Sequence, residues 1–111
     1  MTNKIVVLST CANAEDAGRI AGLLVDKRLA AGVSGVPGLR SYYRWQDRVE
    51  TSDELLLVIK TSRELFVPLQ AELAKIHPYE VPELLALPVV EGSINYLHWL
   101  DSNLEGGDSL A

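Results

Sequence analysis

The segment Ile76–Glu83 (IHPYEVPE) concentrates potentially reactive side chains in a short stretch of the chain. It contains an imidazole, His77, a phenol, Tyr79, and two carboxylates, Glu80 and Glu83. Its two prolines fix φ and restrict the residues before them, so these side chains are held in a pre-set arrangement. Imidazole suits copper(II) and zinc as a ligand. The pattern indicates either a metal or small-molecule site or a rigid structural joint.

Sulfur ligands are scarce. The only cysteine is Cys11 and the only methionine is Met1, which excludes an intrachain disulfide and disfavours a strong copper(I) site. We expect His77, with Cys11 as a weaker candidate, to hold copper or another divalent cation weakly, and no cofactor to be obligatory. Cys11 precedes a predicted helix N-terminus, which can lower a thiol pKa, but no feature places a base beside it.

Known catalytic and phosphate-binding motifs are missing from the sequence. There is no Gly-x-Ser-x-Gly elbow and no glycine-rich phosphate loop. We therefore expect that the chain is not an enzyme. Lys60, Tyr79 and Glu83 could line a cleft that attracts a small anion. The alternative is an ion pair beside a buried tyrosine with a satisfied hydroxyl.

Charge and composition limit the kinds of binding partner that we expect. The net charge is −5 and the ten Lys and Arg residues are scattered, so a nucleic-acid-binding face is not expected. No apolar run approaches the roughly 20 residues of a membrane helix, and the N-terminus lacks the apolar core of a signal peptide. We expect a cytoplasmic protein with no membrane contact. The length predicts a single domain over residues 1–111, with 106–111 as a loose tail.

Hydrophobic periodicity predicts the elements that position these residues. The predicted strands are Lys4–Thr10, Val33–Trp45, Val49–Lys60 and Val81–Val90. The first predicted helix starts at an Asn13 cap and ends at Gly32. The second is capped by Ser62 or Thr61, with Thr61 and Glu64 as a capping box, becomes regular near Leu65 and ends at Pro78. The third starts at a Ser93 cap. The order β-α-β-β-α-β with a C-terminal helix predicts an α+β, ferredoxin-like antiparallel sheet. Its second and fourth strands, which carry the prolines, should lie at the edges.

The predicted middle hairpin is much longer than the first strand. A 12-residue arm is about 40 Å long, against about 23 Å for seven residues. An isolated ribbon is marginal in water, yet this one carries Tyr42, Tyr43 and Trp45. We expect the hairpin to pack against other copies of the chain in a closed ring, with Trp99 as a further contact. The alternative is a hairpin that lies back on its own domain.

Several blocks of sequence resemble the CutA family, the divalent-cation tolerance proteins, over nearly the whole chain from Val6 to Leu104. The blocks are Leu29-Ala-Ala31, Val36-Pro-Gly38, Ser41-Tyr-Tyr-Arg-Trp45, Leu57-Val-Ile-Lys-Thr61, His77-Pro-Tyr-Glu-Val-Pro-Glu83 and Tyr96-Leu-His-Trp-Leu100. The resemblance implies a ferredoxin-like subunit in a homotrimer with interlocking hairpins, similar to PII signalling proteins. It implies a role in copper and divalent-cation tolerance through binding or signalling. The alternative is a PII-like sensor of a small anion or nucleotide at subunit interfaces.

The resemblance also implies where metal ligands would stand. Ligands proposed in the family are a cysteine at the end of the first strand and a histidine pair before Pro-Tyr. These positions are here Ser9 and Ile76-His77, so only His77 matches. A further cysteine of some members is here Gly32. The sequence therefore predicts that most of that site is lost.

Overall fold

The computed structural model describes residues 2–107, which form a four-stranded sheet and three α-helices. In chain order the elements are β1 (Lys4–Cys11), α1 (Ala14–Asp26), β2 (Gly32–Trp45), β3 (Arg48–Ser62), a 3-10 turn (Arg63–Leu65), α2 (Phe66–Ile76), β4 (Leu85–Pro88) and α3 (Ile94–Ser102). The predicted loose tail lies outside the described residues from 108 onward.

The sheet is antiparallel throughout, with strand order β2-β3-β1-β4. This order and the connections are those of the ferredoxin-like arrangement, and they confirm that β2 and β4 lie at the edges. Pro37 and Pro88 stand on these edge strands, where a missing N–H interrupts no inner ladder.

One face of the sheet forms the core under α1 and α2. Alternate residues of β1 and β3 point to this face, because side chains alternate along a strand. Val7 and Ile59, which are register partners, are both fully buried. The helices contribute the buried Ile20, Leu24, Leu69 and Leu73.

The predicted cap of α1 is confirmed, but its predicted end is wrong. Asn13 Oδ1 accepts a hydrogen bond from the Asp16 N–H at 2.8 Å, as an N-cap does. The helix ends at Asp26, well before Gly32, because Arg28 takes a left-handed φ of 59°. Gly32 instead begins β2.

The predicted capping box of α2 is also wrong. The Thr61 hydroxyl is buried and donates to the Leu29 carbonyl at 2.6 Å, so it caps nothing. A 3-10 turn follows, and α2 begins at Phe66, close to the predicted regular start. Pro68 then falls in the first helical turn, where N–H groups lack intrahelical partners. The helix ends at Ile76, before Pro78, as predicted.

The fourth strand is shorter than the predicted Val81–Val90. Only Leu85–Pro88 pairs with β1. Pro82 lacks an N–H, and the Ser9 hydroxyl holds the preceding segment by donating to the Glu83 carbonyl at 2.8 Å. The Ser9 side chain thus takes the place of backbone hydrogen bonds between this segment and β1.

The β2–β3 hairpin projects beyond the rest of the sheet. Pairing of β3 with β1 stops at Leu55, while its pairing with β2 continues from Glu54 to Arg48. At ~3.3 Å per residue, this overhang of seven pairs is roughly 23 Å long. The chain measures 50 × 25 × 23 Å, so the hairpin does not lie back on its own domain.

A β-bulge at Pro37–Gly38 sets which side chains of the hairpin share a face. The register steps from Val36↔Leu56 to Leu39↔Glu54, so β2 has one extra residue. Gly38 adopts a φ of +86°, which glycine tolerates best. Because an extra residue exchanges the two faces of a strand, Tyr43 and Trp45 lie on the same side as Glu54.

Candidate functional site

A cleft of about 680 Å³ lies at the base of the hairpin, between β2, β3 and the segment 79–83. Its walls include the aromatic side chains of the hairpin and of Tyr79, the carboxylates Glu54, Glu80 and Glu83, and the guanidinium of Arg44. The rigid Pro-Tyr corner therefore forms one wall of a concave site.

A pair formed by the half-buried phenol of Tyr79 and the buried carboxylate of Glu54 lies at the base of this cleft. The Tyr79 hydroxyl donates to Glu54 Oε2 at 2.6 Å, and Glu54 is only 8% exposed. Burial, and then the hydrogen bond and charge of Glu54, raise the pKa of Tyr79 well above its ordinary value. The phenol therefore remains a neutral donor.

The buried ring of His77 is fixed through both of its nitrogens. Nδ1 accepts from the Tyr79 backbone N–H at 3.1 Å, so the proton must reside on Nε2. Nε2 then donates to the Thr10 carbonyl at 2.7 Å. The rings of His77 and Tyr79 also pack with centroids 4.7 Å apart. In this arrangement His77 is a structural joint between β1 and the Pro-Tyr corner, and neither nitrogen is free for a metal.

Cys11 is fully buried, and its thiol lies 3.7 Å from the Asn13 carbonyl. Burial is the largest influence on this thiol and raises its pKa, which disfavours the thiolate that binds metals. Within residues 2–107, no group of three or more His, Cys, Asp or Glu side chains is placed to hold a metal ion. Neither His77 nor Cys11, as placed here, fits a preformed divalent-cation site within one subunit.

The structure separates Lys60 from the other two residues of the predicted cleft. Tyr79 and Glu83 line the cleft, whereas Lys60 lies six residues along β3 from Glu54, roughly 20 Å away. The Lys60 ammonium donates to Ser34 Oγ at 2.7 Å and to the Val58 carbonyl at 3.4 Å. Burial lowers its pKa.

Trp99 lies near Lys60 and away from the other predicted interface aromatics. A Cβ built on Gly32 would be 3.6 Å from Trp99 and 3.8 Å from the Lys60 side chain. Tyr42, Tyr43 and Trp45 lie on the projecting hairpin, and all four aromatic residues are at least 40% exposed. The structure therefore offers two separate aromatic surfaces.

Glu54 is the residue that the sequence prediction missed. It precedes the apolar run Leu55–Ile59 on β3 and is one of the few charged residues that are buried. The available signal was its spacing, because strand alternation puts Glu54 on the same face as Leu56 and Val58. A carboxylate at such a position needs a hydrogen-bond donor, and the Tyr79 hydroxyl is that donor.

The sheet face opposite α1 and α2 is apolar and only partly covered. Its members come from all four strands: Val6, Leu8, Val36, Leu56, Val58, Leu85 and Leu87. Leu85 and Leu87 are 58% and 49% exposed. α3 reaches this face at one end only, where Lys4 Nζ meets Asp101 Oδ1 at 2.6 Å.

The architecture defines a class: ferredoxin-like proteins with an extended hairpin and a cleft at its base. The family model described as "CutA1 divalent ion tolerance protein" matches residues 5–103. The chain therefore belongs to the CutA divalent-cation tolerance family, which confirms the resemblance seen in the sequence.

Alignments with related proteins cover most of the chain. The divalent-cation tolerance protein CutA of Thermus thermophilus is 50% identical over 98 residues, covering 88% of this chain and 95% of the relative. The chloroplastic CutA of Arabidopsis thaliana is 42% identical over 99 residues, covering 89% of this chain. The alignment spans only 54% of that plant protein.

Solved structures agree with the fold. A Thermus thermophilus CutA1 structure superposes with a TM-score of 0.89 at 48% identity, covering 92% of this chain and 99% of the other. The CutA of Xylella fastidiosa gives a TM-score of 0.90 at 36% identity, covering 94% and 100%. None of the helices in residues 2–107 combines the length and apolar character needed to cross a bilayer.

Proposed function

We propose that this chain acts as a cytoplasmic homotrimer in divalent-cation tolerance, by binding or signalling and without catalytic turnover. The observation that carries the proposal is the apolar sheet face that one subunit leaves uncovered beside a projecting aromatic hairpin. Monomeric proteins rarely expose large contiguous apolar patches. Family membership supplies the role in cation tolerance.

Burial of this face would stabilise an assembly substantially. Complete burial of a leucine side chain is worth roughly 1.5–3 kcal/mol, and Leu85 and Leu87 are each about half exposed. The two free edges, β2 and β4, belong to different strands. A contact that joins β2 of one copy to β4 of the next would be heterologous, and a heterologous contact forms a ring when its rotation closes. The proposed homotrimer is a ring of this kind.

The metal role of this chain rests on His77, the one family ligand that it retains. Because both of its nitrogens are engaged, a cation would have to displace either Thr10 or Tyr79 from the ring. We therefore propose that copper or another divalent cation is held weakly, and that no metal is needed for folding.

A titration of the purified protein with copper(II) and zinc(II), read by native mass spectrometry, tests this proposal. His77→Ala removes the candidate ligand, and His98→Ala, at the only other histidine, is the matched control because His98 is exposed on α3. We expect weak, saturable binding that only His77→Ala reduces. Tight binding that persists in His77→Ala would contradict the assignment of this ligand.

A second candidate is a PII-like sensor of a small anion or nucleotide, with Lys60 as its anchor. The observation in its favour is that no carboxylate within residues 2–107 forms an ion pair with Lys60, although the side chain is partly buried. Calorimetry with nucleotides, compared with copper and zinc, separates the two functions. Saturable nucleotide binding that Lys60→Met abolishes, together with no response to metals, would favour the sensor.

A further inference from the structure

The cleft at the base of the hairpin holds charges that have no ion-pair partner within one chain. Its carboxylates are Glu54, Glu80 and Glu83, and the one basic residue among the described residues that line it is Arg44. None of these residues forms an ion pair within residues 2–107. Glu54 is buried, and a buried carboxylate without a countercharge is costly. A single chain therefore leaves this surface electrostatically incomplete.

The strand directions show which part of a second copy would lie beside the cleft. Because β1 and β2 both pair antiparallel with β3, they run in the same direction, and β4 runs opposite to them. In a ring whose axis runs along the strands, β2 of one copy therefore meets β4 of the next copy in antiparallel direction.

The overhang of β2 then reaches the Pro-Tyr corner of the next copy. The hairpin projects past the end of β1 at Cys11, and residues 79–83, which precede β4, lie at the same end of the sheet. The projecting part of β2 extends in the direction in which β4 is preceded by this corner. The two segments from neighbouring copies therefore run side by side.

These two segments carry opposite charge. The projecting part of β2 contains Arg40 and Arg44, and the Pro-Tyr corner contains Glu80 and Glu83. Arg40 already pairs with Asp53 of its own chain at 3.1 Å. The exposed guanidinium of Arg44 forms no ion pair in the part of the chain that the structure describes. Arg44 is therefore the arginine of this edge that is available to another copy.

Glu83 is the carboxylate of the corner whose position is best fixed. Its backbone carbonyl accepts from the Ser9 hydroxyl at 2.8 Å, and the preceding Pro82 has a fixed φ. Its side chain is exposed, and it stands two residues before β4, which is an edge strand. A carboxylate held at this point can reach a side chain of a strand that adds to this edge.

We propose that Arg44 of one copy pairs with Glu83 of the next copy, so that each cleft is closed by two chains. The pair favours the joining of β2 to β4 over other contacts, because complementary charges across an interface suppress wrong pairings. This inference rests on the proposed homotrimer and adds to it the residues that join neighbouring copies. It does not depend on metal binding.

Charge reversal in mixed rings tests whether the pair forms between chains. Arg44→Glu and Glu83→Arg each place like charges at every junction of a homotrimer. In a ring that contains both variants, like charges remain at a single junction, because the two reversed charges meet at one junction and the native pair is kept at another. Mixed rings should therefore form in preference to rings of one variant.

Native mass spectrometry counts these rings after equal amounts of the two variants are unfolded in urea, mixed and refolded. Random assembly leaves about one quarter of the rings with a single kind of chain, and wild-type protein mixed with isotopically labelled wild-type protein should show this fraction. The variant mixture should fall about fivefold or more below it, because like charges facing each other across an interface are strongly unfavourable. A random fraction in the variant mixture would overturn the proposal, and it is also the result expected of a pair within one chain.

Arg40→Glu mixed with Glu83→Arg is the matched control. Arg40 is an exposed arginine of the same strand, but its partner Asp53 belongs to its own chain. With the native residue at position 44 in both variants, each Glu83→Arg chain adds one unfavourable junction whatever its neighbours, so this mixture should assemble at random. An enrichment of mixed rings equal to that with Arg44→Glu would show that the assignment of Arg44 is wrong.

Neutral variants provide the test if the reversed variants do not refold. Arg44→Gln and Glu83→Gln should each raise the protein concentration at which the copies separate by about tenfold. The double variant should be no weaker than either single variant, because the partners act as one pair. Additive losses would contradict the pair. A wild-type trimer with random mixing or additive losses refutes this inference alone, whereas a wild-type monomer refutes the homotrimer itself.

Discussion

The hydrogen bond between Tyr79 and the buried Glu54 should contribute measurably to stability, and Tyr79→Phe isolates it. The substitution removes only the hydroxyl that donates to Glu54 Oε2 at 2.6 Å. A hydrogen bond to a charged group contributes about 1.5–3 kcal/mol, and loss of the donor leaves a carboxylate that is 8% exposed without its partner. We expect the free energy of unfolding to fall by roughly 2 kcal/mol.

Urea unfolding at one fixed protein concentration measures this change, since assembly would make apparent stability depend on concentration. A double-mutant cycle with Glu54→Leu, which removes the acceptor, separates the pair from the background. The two single changes should be less than additive, with a coupling of about 1 kcal/mol or more. A loss below about 0.5 kcal/mol, the range of ordinary surface substitutions, would refute the reasoning.

The same pair has a defined pH dependence. The pKa of Tyr79 is raised from an ordinary value of 10.0, so above pH 10 the folded state retains a proton that the unfolded state loses. The stabilisation is therefore complete below pH 10 and decreases as pH rises beyond it. The stability difference between the wild type and Tyr79→Phe should be constant from pH 7 to 9 and should narrow above pH 10. A difference that widens there would contradict the assigned direction.

The remaining predictions concern the hairpin and the histidine joint. Trp45→Ala should weaken assembly by about 2 kcal/mol, measured from the protein concentration at which subunits separate; an unchanged concentration would count against a hairpin contact. His77→Ala should lower the free energy of unfolding by about 1–3 kcal/mol in metal-free urea unfolding, because it leaves the Thr10 carbonyl without its donor; full stability would show that the ring is not a joint. Gly38→Ala should cost about 1–2 kcal/mol, because Gly38 has a φ of +86°. Gly35→Ala is the control, because Gly35 lies in the same strand, has open space around it and has no left-handed φ. An equal loss of stability in the two variants would contradict the argument that the bulge requires glycine at position 38.

Hydrophobic periodicity in the sequence predicted most of the fold. The β-branched and apolar runs in β1 and β3 and the Asn13 cap are local signals, and they predicted elements close to those observed. The errors arose where a distant partner decided the outcome. Thr61 looked like a cap but donates to Leu29, and the fourth strand is short because Ser9 holds the segment before it.

The candidate site was only half predictable for the same reason. The prolines around Tyr79 marked a rigid corner, and that corner does line the cleft. Its main partner, Glu54, is 25 residues away in sequence, and the bulge at Pro37–Gly38 decides which hairpin side chains join it. Lys60 lies on a neighbouring stretch of the same strand but too far along to take part. Such pairings depend on register, which single-residue patterns do not specify.

Sedimentation equilibrium across micromolar protein concentrations tests most directly whether the uncovered sheet face and the projecting hairpin are covered by further copies of the chain. With a subunit mass of 12.2 kDa, the account predicts a single species of about 37 kDa, the mass of a three-membered ring. A stable, folded species at 12.2 kDa would contradict it.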